Sequence, residues 1–230
     1  MTRKLTKKIQ KKLGLYPGGV WNKETASRLI QFQKKNKLKP DGIFGKRTRA
    51  KLFRQEMNET IELIKAQCRD LQVVKPEQIQ YIIATAIHET DGTLEPIKER
   101  GGEGYLGSLY DPILAKSERL RNRAKKMGNR EKGDGVKYSG RGFIQLTWKN
   151  NYAKYSDIIG IDLVGNPNLA LEMNHSIFIL VHGMKHGVFT GKKLDYYFNE
   201  NGSDFISARR VVNGRDKANM IAKIAQRIRV

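Results

Sequence analysis

The stretch PEQIQYIIATAIHETDGTLEPIKE, residues 76–99, decides the fold class and carries two acids of chemical interest. Pro76 suits a first helical position, and Glu77 suits the positive end of a helix dipole. Ile79, Ile82, Ile83, Ala86 and Ile87 recur at the spacing of one buried face. Glu89 continues that face and is predicted to emerge at the C-terminal rim of the apolar stripe, where Asp91 and Gly92 end the helix. Desolvation and the negative helix end both disfavour a carboxylate there, which is the condition a general acid requires. The plain alternative is an exposed last-turn glutamate. Glu99 follows a Pro-containing turn and lies between Lys98 and Arg100, whose charges favour an ionised carboxyl. Two carboxyls divided in this way are the minimum for acid/base hydrolysis of a glycosidic bond. One protonates the leaving oxygen, and the other, roughly 6.5–9.5 Å away, activates water. The loop between them spans that gap easily. Glu95 and Asp91 compete with Glu99 for the second role.

Outward from this stretch, the first quarter of the chain has a different character. The whole sequence of 230 residues carries a net charge of +21, and residues 1–54 hold 17 Lys or Arg against two acids, Glu24 and Asp41. Such a module seeks a polyanion. It also repeats itself. A shift of 23 residues superposes Gln10-Lys11-Lys12 on Gln33-Lys34-Lys35, Pro17 on Pro40, Gly19 on Gly42, Thr25 on Thr48 and Leu29 on Leu52, with Val20-Trp21 facing Ile43-Phe44. Each unit reads as a helix, a Pro/Gly turn, an apolar-aromatic pair and a second helix capped near Asn22 or Gly45. The segment from Ile9 to Leu52, especially FQKKNKLKPDGIFGKRT (residues 32–48), resembles the peptidoglycan-binding module that accompanies bacterial and phage wall hydrolases. That resemblance implies a wall-binding role for Trp21, Asp41, Gly42, Phe44 and Thr48. The first copy departs from the pattern, with Gly18 where the second has Asp41. The Lys residues fall on many helical phases without an Arg/Asn/Gln cluster on one helix, so no specific nucleic-acid recognition is expected, only salt-sensitive sticking.

Beyond a boundary placed at residue 54, the patterns are helical: a spacing from Glu56 to Leu71, the Glu89 helix, and runs near 169–185, 204–210 and 216–228. Between them lie RGGEGYLGSLYD (100–111), a basic stretch from Lys116 to Lys137 and the motif YSGRGFIQLTWKNNY (138–152). No alternating segment is long enough for a substantial sheet, so a mainly α fold is expected, with a small helical domain over 1–54 and a larger helical domain over 55–230. With 39% hydrophobic residues and no apolar run near the ~18 residues of a membrane span, no transmembrane segment is expected. No apolar segment follows the basic N-terminus as a secretory signal would. Cys68, the single cysteine, falls in step with Met57, Ile61, Ile64 and Leu71 as a small core residue.

Residues 82–213 resemble the phage endolysins related to glycoside hydrolase family 19. The resemblance rests on ATAIHETDGTLEPIKE, GDGVKYSGRGFIQLTW followed by Asn151-Tyr152, DLVGNPNLAL and ARRVVNG, in the family's order. It implies a lysozyme-like helical fold, with Glu89 as general acid, Glu99 as base, and Thr147 helping to hold the attacking water where many family chitinases carry Ser. It also implies that Asn151, Tyr152 and Asn213 contact sugar, since amides suit N-acetyl and hydroxyl groups, with packing an equal alternative for Tyr152. If the GRG segment is extended, Gln145 and Thr147 face one side, and its glycines admit a sugar chain close to the backbone. Arg141 and Gln145 count among the candidate substrate-binding residues; Arg141 is also suited to pair with a catalytic carboxylate or cap a helix, His88 is expected to orient Glu89 or pack, and Arg209 and Arg210 to form a buried ion pair supporting the site.

A rival enzyme class comes from His175, His182 and His186, spaced by seven and four, because wall amidases and peptidases often use zinc. No glutamate separates His182 from His186 as in a zinc protease motif, and ligands on one straight helix converge poorly, so no metal and no cofactor are expected. The expectation is a monomeric muramidase that cleaves peptidoglycan between N-acetylmuramic acid and N-acetylglucosamine. By the resemblance, it is made in the cytoplasm of an infected bacterium and freed to the periplasm and wall by a separate membrane-permeabilising protein. Anionic wall or outer-membrane polymers are further expected partners. A chitinase and a non-enzymatic wall-binding protein are the alternatives.

Overall fold

The computed structural model describes residues 1–230 and is mainly helical, with strands of only two residues. The chain divides into two compact units, Met1–Thr60 and Ile61–Val230. The division falls inside a helix, six residues beyond the expected boundary at 54, because the periodicity of residues 54–70 continues across it without a break.

The first unit contains α1 (Arg3–Lys12), α2 (Lys23–Lys35), α3 (Lys46–Leu52) and the start of α4 (Arg54–Asp70). Thr2 and Asn22 cap the first two helices with their side chains, through Leu5 and Thr25, whereas Gly45 offers α3 no such cap. The sequence repeat recurs as a repeat of hydrogen bonds. The Gln10 amide donates to the Val20 carbonyl at 2.9 Å and to Thr25 Oγ1 at 3.1 Å, while its oxygen accepts from the Gly19 N–H at 2.8 Å. Gln33 does the same with the Ile43 carbonyl at 3.0 Å, Thr48 Oγ1 at 3.2 Å and the Gly42 N–H at 2.9 Å. A buried glutamine in each copy thus ties the turn to the helix that follows it. Ile9, Leu29 and Leu52 fill the apolar remainder. Gln33→Ala leaves these buried groups unpaired and is expected to destabilise the first unit by about 2–3 kcal/mol. Thermal unfolding of the variant followed by circular dichroism checks this, and an unchanged midpoint for its transition defeats it.

In the second unit, α5 (Pro76–Glu89) is the central element. Tyr81 to Ala86 are all buried, rather than one face alone. The reason is cover on several sides: α10 (Met173–His186) and α11 (Ala218–Ala225) both pack on it. Leu180, Val181, Met184, Ile221 and Ala225 complete this core, and Cys68 is buried in the same unit with its thiol pushed up to about 12 by burial. The intervening helices are α6 (Glu103–Tyr110), α7 (Glu118–Lys126), α8 (Asp134–Lys137) and α9 (Lys149–Ile159). The expected helical run at 169–185 is a 3-10 turn, Pro167–Leu171, followed by α10, and the run at 204–210 is a 3-10 turn, Ser207–Val211.

Candidate active site

Glu89 is the last residue of α5, and the chain reverses immediately after it. The Thr90 hydroxyl donates to the Ala86 carbonyl at 2.7 Å and accepts the Leu94 N–H at 3.0 Å, which folds the turn back on the helix end. Asp91, Gly92 and Leu94 all take positive φ there. The turn delivers β1 (Ile97–Lys98), which pairs antiparallel with β2 (Arg141–Gly142), Ile97 opposite Gly142 and Lys98 opposite Arg141. This short ladder docks the GRG motif beside Glu99. The Glu99 N–H donates to the Gly140 carbonyl at 2.8 Å, and the Gly140 N–H donates to Glu99 Oε2 at 2.9 Å. Glu99 Oε1 accepts the Tyr110 hydroxyl at 2.8 Å. Burial, then the Glu99 hydrogen bond, pushes the Tyr110 phenol above its ordinary range, so it remains a donor. Gly140 lies close against the cluster: a Cβ there would stand 2.7 Å from Gln145 Oε1 and 3.1 Å from Glu99 Oε2. Glu99, Gly140, Gln145 and Tyr110 therefore form one cluster.

The segment after β2 is not extended, so the condition under which Gln145 and Thr147 share one side is not met. Arg141 and Leu146 close a tight turn through paired backbone bonds of 3.1 and 2.8 Å, and Gln145 takes φ 54. Gln145 and Thr147 consequently do not alternate to one side. The Gln145 amide donates to the Ile97 and Gly142 carbonyls, both at 3.1 Å, and the Thr147 hydroxyl donates to the Gln145 carbonyl at 2.8 Å. Asn151, half-buried, donates to the Thr147 carbonyl at 2.7 Å.

The expected role of Arg141 is corrected, and of the two readings of Tyr152 the packing one is found. Arg141 is buried and binds neither Glu89 nor Glu99. Its guanidinium donates to Asn168 Oδ1, to the Lys137 and Ser139 carbonyls and to the Tyr152 hydroxyl. Tyr152 is fully buried, and its hydroxyl donates to the Ser139 carbonyl at 2.8 Å. Both hold the loop that carries Gly140 from behind, so neither is placed to touch sugar.

Arg209 comes from the 3-10 turn near the C-terminus and donates to Glu89 Oε1 at 2.7 Å. The guanidinium side chain is 4% exposed against 20% for Glu89, and its Nε donates to the Asp216 carbonyl at 3.1 Å. The expected buried ion pair is thus made by Arg209 alone: Arg210 is exposed, because the turn aims consecutive side chains apart. Asn213 is also exposed, with its backbone N–H on the Arg209 carbonyl at 3.0 Å and its own Oδ1 accepting the Gly214 N–H. His88 is half-buried, and burial is the main cause that lowers its pKa from 6.5. Asp91 and Glu95 are exposed.

Tyr110 and Asn168 were not singled out from the sequence. The Gly/Tyr-rich spelling of residues 100–111 marked the region of Tyr110 without marking its role. The next residue, Asp111, explains part of the basic stretch: it is buried, and its carboxylate accepts the N–H groups of Ile113, Leu114 and Gly133. Burial opposes its charge, but these backbone bonds outweigh burial and lower its pKa. They also pin the two ends of the basic segment, while Arg123 of α7 lies 5.4 Å over the Trp148 ring.

The histidines of α10 do not converge. His175 Nδ1 faces the Leu169 carbonyl at 3.1 Å, whereas His182 and His186 have ring centroids 4.4 Å apart. His182 stacks on Phe178 and meets the edge of Tyr155. Burial, then the charges of His186, Lys154 and Lys185, lower its pKa from 6.5 to about 4. Between those values the unfolded chain binds a proton that the folded one excludes, so stability is full above pH 6.5 and falls as pH drops toward 4. His182→Phe is expected to flatten the fall of the melting temperature across this window. Parallel curves for variant and parent defeat the expectation.

In the first unit, Asp41 Oδ1 accepts from Gln33 at 3.1 Å and from the Ile43 N–H at 2.9 Å. Gly42 takes φ 69 and Thr48 is buried on Gln33, so these three build the turn. Trp21 is half-buried; Phe44 packs edge-on against Phe53 with Arg49 over its ring.

Residues 4–52 match the model of a peptidoglycan binding domain, and residues 66–179 match that of chitinase class I. A glycosyl hydrolase family 19 domain-containing protein of Haemophilus influenzae is 32% identical over an alignment 142 residues long, with 53% of this chain and 70% of that protein covered.

Proposed function

The chain belongs to glycosyl hydrolase family 19, and from that premise we propose that it is a muramidase-type endolysin of phage origin. It is a glycoside hydrolase joined to a peptidoglycan-binding domain, and this union on one chain is the observation that carries the reading. A wall-binding module holds the enzyme on an insoluble substrate, where tethering raises the local concentration of cleavable bonds.

In the proposed mechanism Glu89 protonates the leaving oxygen of the β-1,4 bond between N-acetylmuramic acid and N-acetylglucosamine. Glu99 draws a proton from water, which Thr147 and Gln145 help to hold. Two features support these roles. Glu89 lies at the end of a rigid buried helix, and Glu99 is clamped by the Gly140 N–H and the Tyr110 hydroxyl. Arg209 supports the anion that Glu89 becomes once its proton is given up. In this reading the enzyme accumulates in the bacterial cytoplasm, reaches the wall through a separate permeabilising protein, and acts as a monomer without a cofactor. Its charge of +21 favours contact with anionic wall or outer-membrane polymers.

The test is digestion of purified peptidoglycan, borohydride reduction of the products and mass spectrometry of the reduced end. Muramitol is the expected sugar; glucosaminitol sinks the muramidase assignment, and cleavage of peptide bonds alone sinks the glycosidase. The match to chitinase class I favours a second reading, turnover of N-acetylglucosamine polymers. Faster cleavage of chitin oligomers than of peptidoglycan would select it.

A further inference from the structure

The two copies in the first unit share a scaffold, and their differences identify what one of them has gained. A cavity of about 350 Å³ opens in the second copy, lined among others by Lys37, Lys39, Asp41, Ile43, Lys46 and Arg47. Positions 23 residues earlier hold Gly14, Tyr16, Gly18, Val20, Lys23 and Glu24. Three glutamine-centred hydrogen bonds recur in both copies and Gln33 adds one to Asp41, so the shared scaffold does not account for the exchange at the cationic positions. Four cations stand where the first copy has one cation and one acid. Asp41 is the one acid of the lining, and its Oδ2 stands 3.7 Å from Lys39.

The lining also speaks about the ligand. No aromatic ring contributes to it, and the amide and hydroxyl side chains that suit neutral sugars are limited to Thr48, which is buried on Gln33. Peptidoglycan offers two chemistries, N-acetylated sugars and short peptides with free carboxylates and, in some walls, a free amine. Four cations answer the carboxylates, with Arg47 able to bind one through two parallel hydrogen bonds, and Asp41 answers an ammonium. The volume lies at the small end of ligand pockets, roughly 300–1,000 Å³, which suits a short segment. We infer that this cavity of the second copy is the binding site for the peptide stem of peptidoglycan, recognised by its carboxylates, and that the first copy serves as scaffold. The inference rests on the peptidoglycan-binding reading above and sharpens it from polymer to peptide.

The probe is the free tetrapeptide L-Ala-γ-D-Glu-diaminopimelyl-D-Ala, titrated into the ¹⁵N-labelled full-length chain. Amide shifts are expected at residues 37–48 and not at 14–25. Lys39→Tyr combined with Arg47→Glu, which installs the residues of the first copy, weakens binding by about tenfold or more, the scale of a lost charge-assisted hydrogen bond. Lys37→Gly is the second variant. Lys37 has φ 55 and its counterpart Gly14 has φ 72, so glycine fits that backbone, and its loss of affinity reports the charge and not the fold. The inference is overturned if the tetrapeptide moves nothing or moves 14–25 instead. It is also overturned if peptide-free glycan strands or polyphosphate bind the 37–48 amides at least as tightly. Adsorption to purified sacculi is measured alongside. Normal adsorption without a response to the tetrapeptide defeats the peptide site and leaves peptidoglycan binding standing; absence of both defeats both.

Discussion

Glu89→Gln is expected to lower turnover on purified peptidoglycan by about 10³-fold while adsorption to the wall stays unchanged. The substitution keeps shape and removes only the capacity to donate and recover a proton. The amide oxygen can still accept from Arg209, whose hydrogen bond to Glu89 is 2.7 Å, so the 3-10 turn that carries Arg209 keeps its anchor. Exchange of the carboxyl for an amide at this hydrogen bond is expected to cost no more than about 1–2 kcal/mol of stability, because Arg209 retains the Asp216 carbonyl as a second acceptor. Activity and stability therefore separate in this variant, which they would not do if Glu89 were only a partner for a buried arginine. Initial rates of reducing-end release, with the melting temperature measured on the same preparation, check the claim. Near-parental turnover from a folded Glu89→Gln enzyme defeats the proposed acid.

What the sequence disclosed about these sites, and what it withheld, follows from the range of the interactions involved. The repeat of the first unit was legible because each buried glutamine bonds to residues within fifteen positions, so its partners recur with it along the chain. Helix α5 was legible from its end signals, Pro76 and Glu77 at the start and Asp91-Gly92 after the end, and from its apolar run, while its burial on several sides was not. The Arg209 pair joins residues 120 positions apart, and no local pattern announces such a pairing, although the ARRVVNG motif pointed to the right segment. Arg141 and Tyr152 show the opposite limit. Their place in a motif beside Glu99 suggested contact with substrate, but the direction of a side chain in a tight turn depends on backbone angles that residue type does not encode. Gln145, at φ 54, is the clearest instance, since a left-handed glutamine cannot be anticipated from its spelling and it turns the whole segment. Tyr110 was hidden for a related reason: it reaches Glu99 from the end of a helix whose tyrosines and glycines read equally well as packing.

Glu99→Gln is expected to reduce turnover by about 10²-fold or more, with the substrate KM changed little, because a general base acts on the bond-breaking step and not on sugar contact. Here too the isosteric amide can be accommodated. Its oxygen can take the Gly140 N–H, now bonded to Glu99 Oε2 at 2.9 Å, and its nitrogen can donate to the Tyr110 oxygen after the phenol hydrogen rotates. The clamp therefore survives while the proton acceptor is lost. Tyr110→Phe makes the complementary change. It removes one hydrogen bond from a carboxylate that remains, and its expected effect is a fall of about tenfold or less. The ordering of the two variants is the informative quantity, because a purely structural Glu99 would make the deletion of its partner at least as harmful as its own replacement. If Glu99→Gln turns over normally and Tyr110→Phe does not, Glu99 is a strut for the loop, and the second carboxylate must be sought at Glu95 or Asp91, the exposed acids of the same turn.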